Sequence, residues 1–200
     1  MKLEIEGRVA LVVGASRGIG FAIADTLAAE GAKVAMAARG LDGLKSAADR
    51  IGRGASCHAA DVTNPAAALS LVNEVEKQWG TIDILVCNVG SGASVPPGKE
   101  TAAEWSRVMD INLFAATNTI EAARPLMNRG KGDRAIVCVS SICGLAALGA
   151  PVTYSAAVSL PGGTEVPLPT LQTRMSIRPH RASTSFTRDR AAAGSVTSAA

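Results

Sequence analysis

The sequence predicts a doubly wound α/β fold, a parallel β-sheet covered by helices on both faces. Three observations predict it. Short apolar runs alternate with helix-like segments in a regular beat as far as Tyr154. The runs are apolar almost throughout, as strands buried on both faces require. A glycine-rich turn, Gly14-Ala15-Ser16-Arg17-Gly18-Ile19-Gly20, joins the first run to the first helix.

Taken in order, Val9 to Val13 is the first strand, and Ile19, Ile23 and Leu27 are spaced for one face of the helix after it. Glu30-Gly31 closes that helix with glycine in the terminating position. Lys33 to Ala38 reads as the second strand, Leu41 to Ile51 as its helix, and Cys57 to Val62 as the third strand. Asn64-Pro65 caps and starts a helix with apolar positions Ala68, Leu71, Val72, Val75 and Trp79, ended by Gly80. Ile82 to Cys87 is the fourth strand. Thr101-Ala102-Ala103-Glu104 is a capping box that opens a long helix through Trp105, Val108 and Ile111 toward Met127. Arg134 to Ser140 is the fifth strand, and Thr153 to Ala157 begins another helix, which Pro161-Gly162-Gly163 must stop.

Composition excludes several classes. With 48% hydrophobic and 18% charged residues, the chain is globular in character and large enough for one domain with a sizeable core. Its apolar runs are too short to span a membrane, and the charged start MKLEIEGR argues against a signal peptide, so the expected location is cytoplasmic. Cys57, Cys87, Cys138 and Cys143 show no CxxC pairing and no clustered histidines. They read as small buried residues in a reducing compartment, with no metal site or disulfide framework. Residues 1–157 carry 15 Lys+Arg against 15 Asp+Glu, and residues 158–200 carry five Arg against Glu165 and Asp189, so the whole net charge of +3 lies in the tail. That weak surplus, with few aromatics, argues against nucleic acid as a partner.

The glycine turn carries chemistry. Glycines there let the backbone approach a pyrophosphate, while the helix N-terminus offers unpaired N–H donors. Such a turn is also a tight strand-to-helix connection; its place in the first βα unit, where dinucleotide sites form, favours binding. The second strand ends in Ala38-Arg39 with no acidic residue to hold a ribose hydroxyl, and Arg17 lies in the glycine loop. Two guanidinium groups near the ribose suit a 2′-phosphate and point to NADP over NAD. Singly, each arginine is as readily a solvated surface charge.

The spacing GxxxGxG, the strand ending Cys87-Asn88-Val89-Gly90, Asn112 in the long helix, and Ser141 thirteen residues before Tyr154 form an ordered set. This set resembles the short-chain dehydrogenase/reductase family, over about residues 5–157. The resemblance implies a Rossmann fold and an NAD(P)-dependent oxidoreductase acting on a small carbonyl or alcohol substrate. Similarity to reductases of the 3-oxoacyl-carrier-protein type is a further implication, and these motifs do not fix the substrate. Position by position, it implies that Gly14, Ser16, Arg17, Gly18, Ile19 and Gly20 form the pyrophosphate turn and that Asp61 and Val62 flank the adenine. Asn88 and Gly90 would support the cofactor wall, Asn112 would hold a water in a proton relay, Ser141 would polarise the carbonyl, and Tyr154 would be the general acid. Each has a plainer reading: Asp61 a turn cap, Asn112 a polar helix residue, Ser141 a strand-end turn former, Tyr154 a packed aromatic.

One family position departs. A lysine follows the tyrosine by four residues in the family, on the same helix face, and here that residue is Val158. An ammonium there favours the ionised phenol and grips the nicotinamide ribose; moving a free phenol from about 10 toward 7 takes roughly 4 kcal/mol. Valine supplies none of it, so impaired activity is expected, with a catalytically inactive nucleotide-binding protein or an unstable truncated fragment as the alternatives.

After Ala157 the beat stops. Residues 158–200 hold four prolines, six serines, six threonines and no lysine, against six lysines before them, and no periodicity places an element there. The division expected is a dinucleotide-binding domain over 1–157 and an irregular tail over 158–200. The expected origin is a reading frame or exon usage that departs near codon 158, with a genuinely divergent tail as the alternative. The fold is then incomplete on its C-terminal side, with the fifth strand an edge and the homo-oligomer usual for the family in doubt.

Overall fold

The computed structural model describes residues 3–96, 98–146 and 149–159. Five strands alternate with six helices: β1 (Val9–Val13), α1 (Gly18–Ala29), β2 (Lys33–Ala38), α2 (Leu41–Ile51), β3 (Ser56–Ala59), α3 (Pro65–Trp79), β4 (Ile84–Cys87), α4 (Ala102–Met109), α5 (Ala115–Arg129), β5 (Ala135–Cys138) and α6 (Val152–Ser159). A π-helical turn, Asp110–Phe114, joins α4 to α5, and a 3-10 turn, Ile142–Gly144, follows β5. The strands form one parallel sheet in the order β3-β2-β1-β4-β5. Strand order reverses between β1 and β4, so the crevice beyond their C-terminal ends is the switch point where such sheets bind ligands.

The sheet separates two apolar layers because side chains of a strand alternate between faces. Val9, Leu11 and Val13 of β1 pack with Leu71, Val75 and Met127 from α3 and α5. Ala10 and Val12 pack on the other face with Ala24, Leu27 and Leu44 from α1 and α2. At the opposite end from the crevice, buried Asp83 ties three strands together: its carboxylate accepts from the Val9 amide at 2.8 Å and pairs with Arg134 at 3.0 Å, and its carbonyl accepts from the Ala135 amide at 3.0 Å. An ion pair this enclosed fixes register more than it adds stability.

Local signals set most boundaries. The Asn64 side chain accepts from the Ala66 and Ala67 amides, Pro65 occupies the first turn of α3, and Gly80 ends it in the left-handed conformation. Thr101 caps α4 by accepting from the Glu104 amide, but the Glu104 carboxylate turns to Arg107 at 2.8 and 2.7 Å instead of completing a capping box.

Several expectations need correction. The helix expected to run unbroken toward Met127 is interrupted by the π-helical turn, which carries Asn112. Ile19 does not share a buried face with Leu27: it is 63% exposed, and α1 packs through Gly20, Ala24, Leu27 and Ala28 instead. β3, β4 and β5 are each shorter than expected, so Asp61 and Val62 lie in the turn after β3. Burial on both faces holds for the inner strands and fails at the edges, where β3 is partly open and no residue of β5 is fully buried. Cys138 is accordingly exposed and Cys57 and Cys143 are only half-buried, against the expectation of four buried cysteines, which Cys87 alone meets. α6 runs to Ser159; residues 160–200, on which most of the expected irregular tail falls, lie outside the described residues.

Candidate active site

The loop after β1 is built by close contacts that only glycine permits. Gly14 has φ +80, and a Cβ there would lie 3.0 Å from the Asn88 backbone. A Cβ on Gly20 would collide with the Gly14 carbonyl oxygen and come within 2.6 Å of the Asn88 amide nitrogen. The amides of Gly14 and Ala15 both donate to the Ala37 carbonyl, at 2.8 and 3.1 Å, fastening the loop to β2. Asn88 Nδ2 donates to the Gly14 carbonyl at 3.2 Å, fastening it to β4. Gly18, by contrast, has φ +60 and open space where its Cβ would stand.

That open space lies at the start of α1. Its N-cap is Arg17, whose backbone is extended and whose side chain makes no capping bond, and the first turn holds no acidic residue. The helix therefore presents first-turn N–H donors and a partial positive charge without a carboxylate or hydroxyl of its own to satisfy them. An anion such as a pyrophosphate fits this end. Arg17 and Arg39 are both exposed, and neither forms an ion pair among the described residues. The start of α2 abuts the loop: a Cβ on Gly43 would stand 3.8 Å from Ser16 Cβ.

Asp61 and Val62 divide between surface and core. Asp61 Oδ1 accepts from the Thr63 amide at 3.1 Å and the Thr63 hydroxyl at 2.8 Å, a turn-capping arrangement on an exposed residue. Val62 is buried in the layer under α3, and its carbonyl accepts from Asn118 at 3.0 Å.

Beyond the loop a cavity of about 180 Å³ opens against the exposed Ile19 side chain. Asn88, Val89, Gly90 and Asn112 line one side, and Val139, Ser140, Tyr154 and Val158 the other. No charged side chain is among them. Asn112 is buried and heavily bonded: Oδ1 accepts from the Ser91 amide at 2.8 Å, and Nδ2 donates to the carbonyls of Ser91 at 3.1 Å and Val108 at 2.9 Å. It braces the loop after β4 while leaving Oδ1 one further acceptor site. Gly90 is small because a Cβ would come within 3.2 Å of that oxygen.

Tyr154 is half-buried on α6, which the loop after β4 helps to hold through Ser94 and buried Thr153, whose hydroxyls are 2.9 Å apart. Ser141 is outside the cavity lining; its Oγ accepts from the Cys143 amide at 3.2 Å, and its hydroxyl proton remains available to donate. Its neighbour Ser140, which sequence reasoning passed over, lines the cavity and donates to the Val158 carbonyl at 2.7 Å. The Ser140-Ser141 doublet was the only signal available for it. Arg107 braces the loop after β4 by donating to the Ala93 carbonyl at 2.7 Å, and its guanidinium holds the Glu104 carboxyl down at about 2.

The pattern of the short chain dehydrogenase family matches residues 8–158, from the start of β1 to the last turn of α6. The chain belongs to this family. Among relatives of this chain, the 3-oxoacyl-(acyl-carrier-protein) reductase FabG of Escherichia coli (strain K12) is 34% identical over 155 residues, covering 78% of this chain and 63% of that protein. The Pseudomonas aeruginosa RhlG/NADP active-site complex superposes with a TM-score of 0.74 at 28% identity, over 79% of this chain and 64% of that one. A short-chain dehydrogenase/reductase from Burkholderia phymatum in complex with NAD gives 0.75 at 26% identity, over 78% and 57%. The chain thus spans about 63% of the length of the curated relatives it matches first. Among the described residues no helix is long and apolar enough to cross a membrane, and no group of three His, Cys, Asp or Glu is placed to hold a metal.

Proposed function

We propose that this short-chain dehydrogenase binds NADP in preference to NAD and reduces a small carbonyl, or oxidises the alcohol, at low efficiency. The observation that carries the reading is the double role of Asn88, which braces Gly14 in the loop and lines the Tyr154 cavity, so that anion cradle and cavity form one continuous site. The cavity is too small to enclose a dinucleotide, so the phosphates would lie over Gly18 and only the nicotinamide end would enter beside Ile19. Arg39 and Arg17 are the free cations for a 2′-phosphate.

A bound nicotinamide supplies or accepts the hydride. This chain's residues manage the oxygen and the proton. The Ser141 hydroxyl donates to the carbonyl oxygen, and the Tyr154 phenol gives its proton as that oxygen gains charge. Asn112 holds the water from which the phenol is reprotonated. Val158, one turn from Tyr154, puts an isopropyl group where the family has an ammonium, which leaves the phenol without electrostatic help and favours a second reading, binding without turnover.

The test titrates purified chain with NADPH and with NADH by fluorescence, then adds a panel of ketones. NADPH binding at least tenfold tighter than NADH, with slow ketone-dependent oxidation, is the result expected. Binding without turnover selects the second reading, and no binding by folded protein overturns both. Val158→Lys alone is expected to restore little turnover; robust recovery would show that the missing ammonium was the whole defect.

A further inference from the structure

Two of the four cysteines, far apart in sequence, meet in the sheet. Cys87 ends β4 and Cys138 ends β5, and the parallel register sets them directly opposite each other. Paired residues on adjacent strands point to the same face, so the two thiols are neighbours there. Neighbouring strands lie about 4.8 Å apart, within the ~4.4–6.8 Å Cα separation of disulfide partners. The two differ in access: Cys87 is buried, with the Ala116 carbonyl 4.0 Å from its sulfur, whereas Cys138 stands exposed because β5 is the outer strand among the described residues.

We propose that Cys138 and Cys87 form a redox-active dithiol site, in which Cys138 reacts with low-molecular-weight disulfides and Cys87 resolves the adduct. Nothing in the dehydrogenase reading uses either thiol. The neighbouring Cys87 thiol favours the ionised form of Cys138 and draws that thiol down to about 7, while the same pairing, and then burial, push Cys87 well up. The attacking sulfur is therefore the accessible and ionised one, the pattern of reactive cysteines. Cys138 thiolate attacks one sulfur of the external disulfide, forming a mixed disulfide and expelling a thiolate. Cys87 then loses its proton to solvent and attacks the Cys138 sulfur, and the second thiolate leaves. Two electrons pass from the pair to the reagent, which departs as two thiols.

The experiment incubates the full chain in its native state with oxidised glutathione, quenches with acid, alkylates the remaining thiols in denaturant and maps the peptides by mass spectrometry. The result expected is a cross-link between the peptides of Cys87 and Cys138, with both lost to alkylation at least tenfold ahead of Cys57 and Cys143, and recovery with dithiothreitol. Cys138→Ser should leave Cys87 alkylatable, and Cys87→Ala should trap a glutathione adduct on Cys138. A wild-type chain that stops at an adduct on Cys138 with Cys87 still alkylatable overturns the proposal. So does reaction of Cys57 or Cys143 at the rate of Cys138. The wild-type map decides the matter even if a variant does not fold.

Discussion

β1 and β5 belong to one parallel sheet, have equally apolar sequences and deliver their C-terminal ends to the same crevice, yet all five residues of β1 are buried while three of the four in β5 are exposed. Burial is a property of neighbours. β1 lies between β2 and β4 with helices over both faces, and among the described residues β5 has a strand on one side only. The contrast falls along a functional line. The glycine loop hangs from the fully enclosed strand, whereas Ser141 and Tyr154 depend on the open one and on a helix of eight residues. The half proposed to bind the cofactor is well supported, and the half proposed to do chemistry is thinly built.

The largest effect expected is on stability. Leu11, with no exposed surface, should cost about 2–5 kcal/mol on replacement by Ala, while Val137→Ala should stay within about 0.5 kcal/mol. Urea unfolding of both variants checks this, and equal losses would mean that β5 is covered in solution. A middle-sized effect tests whether the enclosed half works alone: Arg39→Ala should weaken NADPH roughly tenfold, about 1.4 kcal/mol, and leave NADH unchanged. Fluorescence titration reads it, and equal weakening of both cofactors would remove Arg39 from the phosphate site.

The smallest effect belongs to the other half. Arg107 holds Glu104 at about 2 in the folded chain, below the roughly 4.3 of a free glutamate. Its contribution is fully present above the unfolded value and is lost as pH falls through the folded one. Urea midpoints of the parent should therefore drop between about pH 4.3 and pH 2 by slightly more than those of Glu104→Gln, and the difference should shrink in salt because the pair is at the surface. A difference that persists at neutral pH but not in acid fits; its absence would show the pair to be inconsequential.

Much of this contrast was legible in the sequence, and the reasons are local. Asn64-Pro65 and Gly80 bracket α3 because caps and terminators act within a few residues. The glycine loop was readable because Gly14 and Gly20 each answer a close contact. Ile19 misled because α1 approaches the sheet through Gly20 and Ala24, and a hydrophobic-periodicity rule favours the larger side chain. Asn112 was expected inside one continuous helix, because one additional residue in a helical turn leaves almost no mark on a periodic pattern. The pairing of Cys87 with Cys138 needs strand register, which apolar runs of this length do not encode.

The π-helical turn at Asp110–Phe114 also sets a phase. Each residue of an α-helix advances the side-chain direction by roughly 100°, and the wider i→i+5 turn advances by less per residue, so the additional residue is absorbed there and α5 keeps its azimuth. Removing one residue between Asp110 and Phe114 would keep both caps and nearly the whole length. It would also leave Thr119, Ala123 and Met127 facing the layer they now fill, at the end of an uninterrupted α-helix. Homologous chains that lack one position in this turn should therefore carry the same inward-facing pattern on either side of a one-residue gap.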